Sequence, residues 1–442
     1  MSRTMLLTIA AIVGTMCLCD QARANADLAD ENAQLKSRVN TLEKQVEGLT
    51  AALSPEEKSK AEAVAAGKKP LWSKLDVQFY GYIKGDAAYD NSRTTSGNFI
   101  VWADNDSGRG NDDEFNLTAN ETRLGLNING PQDNGMQASG KVEFDFYGSG
   151  ASENKAKIQM RHAYAQLSWP DEGLSLLAGQ TWDVISPLNP TTLNYTVMWD
   201  VGNIGYRRPQ IRLTKDIMLS GEKSLKIAGA VSRTIGRSVA TTNLTSESGE
   251  DAGFPTVQAR VGMTMPWLEA GPTTFGISGH FGQEEYDTSA GTDNSRDFDS
   301  WSVNLDLLQP INSWMTLKAE VFKGENLDSY FGGIGQGVRA VKVGTTTVSH
   351  DREISSKGGW CALALGPWDK WTFNTGIGID DVDADDVNVG DRTLNRAVFA
   401  NAIYALNKHA DVGVELSHWR TDYRGRGDAD DVRIQGSLKY KF

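Results

Sequence analysis

The chain is poor in cysteine, in proline and in positive charge. Of its 3 cysteines, two fall within the first 19 residues, so Cys361 has no partner for an internal disulfide once that segment is removed. Proline accounts for 12 of 442 residues, whereas glycine reaches 45 and Trp, Tyr and Phe reach 12, 12 and 14. This composition suits many strands and turns better than many helices. The formal net charge of −13 argues against a nucleic acid partner, because phosphate binding needs a basic face.

The sequence also lacks the signals of a metal site, a nucleotide site or a catalytic centre. Its 5 histidines are scattered, and the acidic runs Asp380–Asp386 and Asp428–Asp431 do not have the spacing of a calcium loop. The glycine-rich stretch Gly332–Gly337 has no strand-to-helix context for binding a phosphate. No nucleophile, base and orienting residue form a recognisable set. We therefore expect no metal, no other cofactor and no enzymatic activity.

No apolar run is long enough to form a transmembrane helix, and the apolar stretch near the N-terminus is typical of a secretion signal. Arg3 precedes the apolar stretch Met5–Leu18, and Ala22–Ala24 has the small-residue pattern of a cleavage site. We expect residues 1–24 to be removed. Membrane association of the mature chain then requires a barrel or a surface contact.

A heptad pattern follows this signal. Leucines recur every seven residues, and two of the four positions that follow them by four residues are valine, which predicts a parallel coiled coil over residues 25–55. The predicted contact positions are Leu28, Asn32, Leu35, Val39, Leu42, Val46 and Leu49. Leucine at d with valine at a favours a dimer, and a helix packed on its own domain is the alternative. Residues 56–75 form a predicted linker.

From Asp76 onward the period of the apolar pattern is two. The alternating runs are often about 10–14 residues long, as tilted strands that cross a bilayer require. Short connections alternate with long ones, which is typical of outer-membrane barrels. The predicted strands are 76–90, 114–128, 136–148, 156–169, 174–182, 204–215, 223–235, 255–266, 273–286, 297–308, 314–326, 357–366, 369–380, 393–406, 410–423 and 431–442. The sequence thus predicts an all-β fold, a 16-stranded antiparallel transmembrane β-barrel over residues 76–442, with a soluble all-β domain as the alternative.

The run that ends at Phe442 shows the alternation clearly. Ile434, Leu438, Tyr440 and Phe442 share one face, and polar residues share the other. We expect the first face to meet lipid and this strand to pair with the first one near residues 77–87, because lipid cannot satisfy a free sheet edge. Tyr440 and Phe442 are similar to the aromatic C-terminal signal by which outer-membrane barrels are recognised for assembly.

Several motifs resemble those of the DcaP-like porins. They are NETRLGLNI (120–128), KVEFDFYG (141–148), QMRHAYAQL (159–167), LAGQTWD (177–183), NIGYRRPQIRLT (203–214), SWSVNLDLLQPI (300–311) and SHWRTDY (417–423). With the heptads ahead of the barrel, the resemblance extends from about residue 28 to residue 442. It implies a trimeric barrel that passes small hydrophilic solutes, often anions. It also implies three coiled-coil strands, which we favour over the dimer because barrel contacts bury more surface than the heptads.

The candidate pore residues come from one long loop and from the lumen faces of the strands. By analogy with porins, the loop Trp182–Asn203 would fold inward and narrow the channel, and it contains Tyr195 and Trp199. Alternation places Arg208 and Arg212 in the lumen, where they would form a cation ladder for anions.

Three further residues complete the candidate set. Arg260 would extend the ladder, and Asp145 would contribute to an opposing acidic wall with Glu143 and Lys141. Arg161 has conflicting face assignments that a β-bulge would reconcile. A charge-balanced wall without selectivity is the alternative for each arginine.

We therefore expect a passive diffusion porin in the outer membrane of a Gram-negative bacterium, with a preference for anions and with the coiled coil in the periplasm. The expected partners are small hydrophilic solutes, outer-membrane lipid and lipopolysaccharide, the outer-membrane assembly machinery and two further copies of the chain. The alternative is a structural role, in which the barrel is an anchor and the coiled coil tethers the envelope.

Overall fold

The computed structural model describes residues 36–41, 75–105, 112–148, 155–236, 248–287, 295–343 and 346–442, apart from the side chains of 343–348. Residues 36–41 are helical, and Val39 is 51% exposed. The predicted signal sequence, the other six heptad contact positions and the predicted linker up to residue 74 lie outside the described residues. Among those that are described, no helix is both long and apolar enough to cross a membrane.

Strands make up most of the chain between Leu75 and Phe442. They are β1 Asp76–Asp90, β2 Thr94–Ser96, β3 Phe99–Ala103, β4 Glu114–Thr118, β5 Arg123–Asp133, β6 Met136–Asp145, β7 Gln159–Trp169, β8 Leu174–Trp182, β9 Arg207–Met218, β10 Ser224–Ser232, β11 Thr256–Leu268, β12 Gly271–Asp287, β13 Ser295–Asn312, β14 Met315–Glu325, β15 Val338–Val343, β16 Thr346–Glu353, β17 Ser355–Trp368, β18 Trp371–Val382, β19 Arg392–Ala405, β20 Ala410–Tyr423 and β21 Ala429–Lys441. Short helical turns lie at Pro170–Glu172, Ser248–Asp251, Asp328–Tyr330 and Ala384–Asp386.

The main sheet closes into a 16-stranded antiparallel barrel. Its strands pair in chain order, and β4 and β5 pair with successive halves of β1, so that together they act as one interrupted strand. β1 also pairs with β21, from Tyr82 opposite Lys441 to Asp90 opposite Arg433. The hairpins β2–β3 and β15–β16 form separate small sheets. The predicted all-β barrel is thus confirmed.

The two faces of the strands have opposite chemistry. On β21, Ile434, Leu438 and Tyr440 point outward and are 51%, 54% and 51% exposed, whereas Arg433 and Gln435 point inward and are buried. The same alternation recurs around the barrel, since large apolar side chains are exposed on the outer faces of the strands and most of the buried charged side chains face the lumen. A polar interior and an apolar exterior are the reverse of a water-soluble fold and match a wall in lipid.

Aromatic side chains surround the end of the barrel that carries the short connections. Trp267, Trp314, Trp368 and Trp371 are all at least two-fifths exposed. The rings of Trp314 and Trp368 are 5.5 Å apart. Such a girdle marks the level of a membrane interface, where amphipathic rings are stable.

The connections also differ between the two ends. Asn134–Gly135 join β5 to β6, whereas residues 183–206 join β8 to β9 and residues 326–337 lead from β14 to β15. This sorting of short and long loops confirms the pattern in the sequence and brings the long loops together at one end.

Candidate pore lining

The connection 183–206, here called the crossing loop, packs inside the barrel. Ile185 and Ile204 lie near its two ends and are buried with Phe322, Leu327 and Tyr330. These partners belong to β14 and the loop after it, which are separated from β8 and β9 by several strands.

The middle of the crossing loop packs further around the wall. Met198 and Val201 are buried in an apolar cluster with Trp360 of β17, Phe399 of β19 and Trp419 of β20. This cluster stands out because most inward side chains elsewhere in the barrel are polar. Large apolar residues on the lumen face therefore mark the place where the wall is covered by the loop.

Buried polar side chains of the wall also bind the backbone of the crossing loop. Leu188 N donates to Glu320 Oε1 of β14 at 2.8 Å, and Leu193 N donates to Glu415 Oε2 of β20 at 2.6 Å. Lys84 Nζ of β1 donates to the Leu193 carbonyl oxygen at 2.8 Å. Because these anchors are spread over β14, β20 and β1, the loop crosses the lumen from β8 to the opposite wall.

Tyr195 and Trp199 connect the crossing loop to its remaining neighbours. The Tyr195 hydroxyl lies 3.0 Å from Asp145 Oδ2 on β6 and 3.1 Å from Gln159 Oε1 on β7. Trp199 is 4% exposed, and its ring stacks on Phe331 with centroids 4.4 Å apart. Both residues therefore pack against other parts of the barrel, and Tyr195 remains partly exposed.

A second segment also folds inward, and it was not among the predicted pore elements. In the hairpin β2–β3, Ile100 and Ala103 have no exposed surface. Asn194 Nδ2 donates to the Ile100 carbonyl oxygen at 3.0 Å, and the Tyr423 hydroxyl donates to the Ala103 carbonyl oxygen at 2.7 Å. The apolar run FIVWA at 99–103 was the available signal, since an exposed loop seldom carries one.

Arg208 points inward but is not available to solutes. Its guanidinium has no exposed surface, its Nε lies 2.7 Å from Asp183 Oδ1, and it lies 3.8 Å from the centroid of the Tyr330 ring. Arg260 is likewise paired, with Nε and Nη2 at 2.9 and 2.6 Å from the two carboxylate oxygens of Asp306. The charges of these two arginines are thus compensated by buried acids, Asp183 of the crossing loop and Asp306 of β13.

Arg161 is the extra residue of a β-bulge. The register between β6 and β7 shifts after Glu143, so that His162 and Arg161 are both buried while Met160 is 53% exposed. Arg161 Nε lies 2.7 Å from Glu143 Oε1, and Nη1 lies 2.7 Å from Asp145 Oδ2. The conflicting face assignments of Arg161 are therefore explained by a β-bulge, as predicted.

The partly exposed lumen cations are a different set. Arg123 and Lys141 have side chains 24% and 27% exposed, and each lies 3.7 Å from a carboxylate oxygen of Glu143. Lys439 lies 4.7 Å from the centroid of the Tyr82 ring. Strand alternation places all three on lumen faces, but the sequence does not show that their surroundings leave them accessible.

Arg212 also belongs to this accessible set. It is half-buried and donates to Gln210 Oε1 at 2.9 Å and to the carbonyl oxygen of Trp182. Among the described side chains, no carboxylate lies within salt-bridge distance of it. Its positive charge is therefore less compensated than that of Arg208.

Within the crossing loop, Asp200 has an unusual environment. Its side chain is 2% exposed, and burial raises its pKa to about 7. The backbone around it has left-handed φ angles at three non-glycine residues, 46° at Val197, 69° at Met198 and 60° at Asp200. Such angles need support from surrounding contacts, so this turn has a fixed conformation against the wall.

A closed barrel with an apolar outer face, an aromatic girdle and a charged lumen entered by a long loop defines an outer-membrane porin. The family model for the DcaP outer membrane protein matches residues 20–233. Over these residues, just under half of the chain, the sequence is similar to the DcaP outer membrane protein family. No protein with a curated description matches the sequence.

Solved structures agree with this fold. The outer membrane channel DcaP of Acinetobacter baumannii is 20% identical with a TM-score of 0.66, over 84% of this chain and 98% of that one. The anion-selective porin from Comamonas acidovorans is 12% identical with a TM-score of 0.53, over 83% and 100%. OmpF of Salmonella typhi, in complex with daunomycin, is 12% identical with a TM-score of 0.54, over 84% and 98%.

Proposed function

We propose that this porin lets small hydrophilic solutes diffuse across the outer membrane, that it favours anions and that the crossing loop narrows its channel. The observation that supports the anion preference is the exposure of charge in the lumen. Arg123, Lys141, Lys439 and Arg212 keep part of their surface accessible. Accessible cations raise the local concentration of anions and lower the energy of an anion in the pore.

The acids beside these cations are less accessible. Glu143 is 4% exposed and Asp145 has no exposed surface. Arg161 pairs with both of them, and the Tyr80 hydroxyl donates to Glu143 Oε2 at 2.7 Å. The negative charge of Glu143 and Asp145 is thus compensated within the wall. The accessible surface that a solute meets here therefore carries more positive than negative charge.

The narrowing is supported by the path of the crossing loop. Its contacts extend from Asp183 at the end of β8 to Glu320, Glu415 and Lys84 on other parts of the wall. A loop held at so many points reduces the open cross-section at its level. The accessible cations belong to β5, β6, β9 and β21.

Reversal potentials in planar bilayers under a salt gradient test the proposal. Arg123→Gln combined with Lys141→Gln should shift selectivity toward cations while the channel still conducts. The control is Lys357→Gln, since Lys357 is paired with Asp381, is 68% exposed and shares the outer face of β17 with Cys361. A cation-selective wild type refutes the anion preference, and a barrel without conductance refutes diffusion.

We also propose that three copies associate and that the heptad region lies in the periplasm. The outer surface beside the barrel seam combines large exposed side chains, Phe115 at 69% and Leu117 at 70%, with the small residues Gly85 and Gly436. Such a surface permits close approach of another barrel. The mass of the protein in mild detergent tests the trimer.

Truncation of residues 25–70 tests the tethering alternative, which predicts loss of envelope integrity with intact conductance.

A further inference from the structure

The turn Asp200–Asn203 of the crossing loop lies directly on the inner wall. A Cβ added at Gly378 of β18 would lie 2.1 Å from the Val201 carbonyl oxygen. A Cβ added at Gly202, whose φ is +110°, would lie 2.1 Å from the Gly359 carbonyl oxygen of β17. Both contacts require glycine, so the backbone of the loop and the backbone of the wall meet without intervening side chains.

Two carboxyl groups are enclosed at this contact. Asp200 is 2% exposed, and Asp380 of β18 has no exposed surface. The Oδ1 atom of each is buried without a hydrogen-bond partner. Asp380 Oδ2 accepts a bond of 3.4 Å from Ile334 N, and the negative charge of Asp200 acts on Asp380. One carboxyl comes from the loop and the other from the wall, so their interaction bears directly on whether the loop stays in place.

The surroundings contain Arg392 and two further acids. The charged groups that act on the pair are Arg392, Asp328 and Asp381. The backbone N–H groups that face it are those of Gly333, Ile334 and Gly335. Arg392 favours the ionised form of Asp200, whereas Asp328 and Asp381 oppose ionisation of their neighbours. One guanidinium and three amides can stabilise one negative charge here, but a second charge in a buried site costs several kcal/mol.

We propose that Asp200 and Asp380 form a proton-dependent latch that holds the crossing loop on β17 and β18. When at least one carboxyl of the pair is protonated, the site carries at most one negative charge and the turn stays on the wall. When both are ionised at higher pH, their repulsion favours displacement of the turn Asp200–Asn203 from the wall. The latch goes beyond diffusion itself, because it makes the width of the passage depend on external pH.

Thiol labelling tests the latch without reference to conduction. Val201→Cys in a Cys361→Ser background places a thiol where the side chain has no exposed surface, and Val389→Cys, at a site 70% exposed, is the reference. Dividing the labelling rate of Val201→Cys by that of Val389→Cys removes the intrinsic pH dependence of thiol reactivity. We expect this ratio to stay low while at least one carboxyl is protonated and to rise at alkaline pH, by up to about tenfold per pH unit, since loss of the last proton of the pair controls the equilibrium.

Asparagine variants identify the groups responsible. Asp200→Asn and Asp380→Asn preserve the shape of the protonated acids and should each keep the labelling ratio low at all pH values, whereas Asp385→Asn, an acid with a side chain 92% exposed, should behave as the wild type. A wild-type ratio that does not change with pH overturns the latch, and so does an unchanged rise in both asparagine variants. Because labelling needs no ion current, failure of the latch is distinguishable from failure of the proposed diffusion.

Discussion

Glu415 allows the attachment of the crossing loop to be tested quantitatively. Its carboxylate is 2% exposed and accepts three hydrogen bonds, from Leu193 N at 2.6 Å, from Asn194 N at 3.1 Å and from Asn401 Nδ2 at 2.9 Å. In Glu415→Ala, three buried donors lose their acceptor. Each unsatisfied buried donor costs about 1–3 kcal/mol, so the attached conformation of this segment should lose roughly 3–9 kcal/mol.

The loop can avoid this cost by leaving the wall at residues 193–194, because its attachment at Glu320 is independent. We therefore expect Glu415→Ala to increase single-channel conductance and its fluctuations, and Glu415→Gln, which keeps one carbonyl oxygen, to have a smaller effect. Glu325→Ala is the matched control, since Glu325 accepts a bond from Trp301 Nε1 and lies at the end of β14. Normal assembly with unchanged conductance in Glu415→Ala would refute the reasoning.

One substitution and one deletion test the wall itself. Arg161→Met leaves Glu143 and Asp145 buried without their main cation, which should cost about 3–5 kcal/mol of stability. The barrel should then unfold at a lower temperature in an electrophoretic mobility assay. An unchanged unfolding temperature would contradict the stabilising role of the ion pairs of Arg161. Deletion of Phe442 removes a ring 5.2 Å from Phe79 and two backbone hydrogen bonds with β1, and should lower the yield of assembled protein in the outer membrane more than the conductance of assembled channels, whereas an equal yield would count against it.

The strands could be predicted closely because the alternation of apolar and polar residues depends only on whether a side chain faces lipid or the lumen. β8 and β20 occupy the predicted ranges 174–182 and 410–423 without change. The interruption between β4 and β5 at residues 119–122 was not predicted, since it depends on the pairing of both strands with β1. Alternation identifies which face a residue occupies, and it therefore placed Arg208 and Arg212 on the lumen side.

Alternation does not identify what a side chain meets there. The partner of Arg208 is Asp183, which lies in the crossing loop, and the partner of Arg260 is Asp306, which is two strands away. These pairings result from three-dimensional contacts that no local period encodes. The accessible cations Arg123 and Lys439 were missed for the same reason, because accessibility depends on which acids and which loops cover a given part of the wall.

The seam between β1 and β21 has a consequence for the order in which the molecule folds. Arg433 Nη1 bonds both carboxylate oxygens of Asp90, at 3.0 and 2.8 Å, across 343 residues of sequence, and Gln435 Nε2 donates to Asp86 Oδ1 at 2.8 Å. Contacts between such distant residues form late, because the entropy of closing a long chain must be overcome first. Until the two edges meet, these bonds across the seam are absent and both edges remain unpaired in lipid. Closure of the seam is therefore the step that converts an aggregation-prone open sheet into a stable protein, and a chain delayed before that step is the form most exposed to degradation.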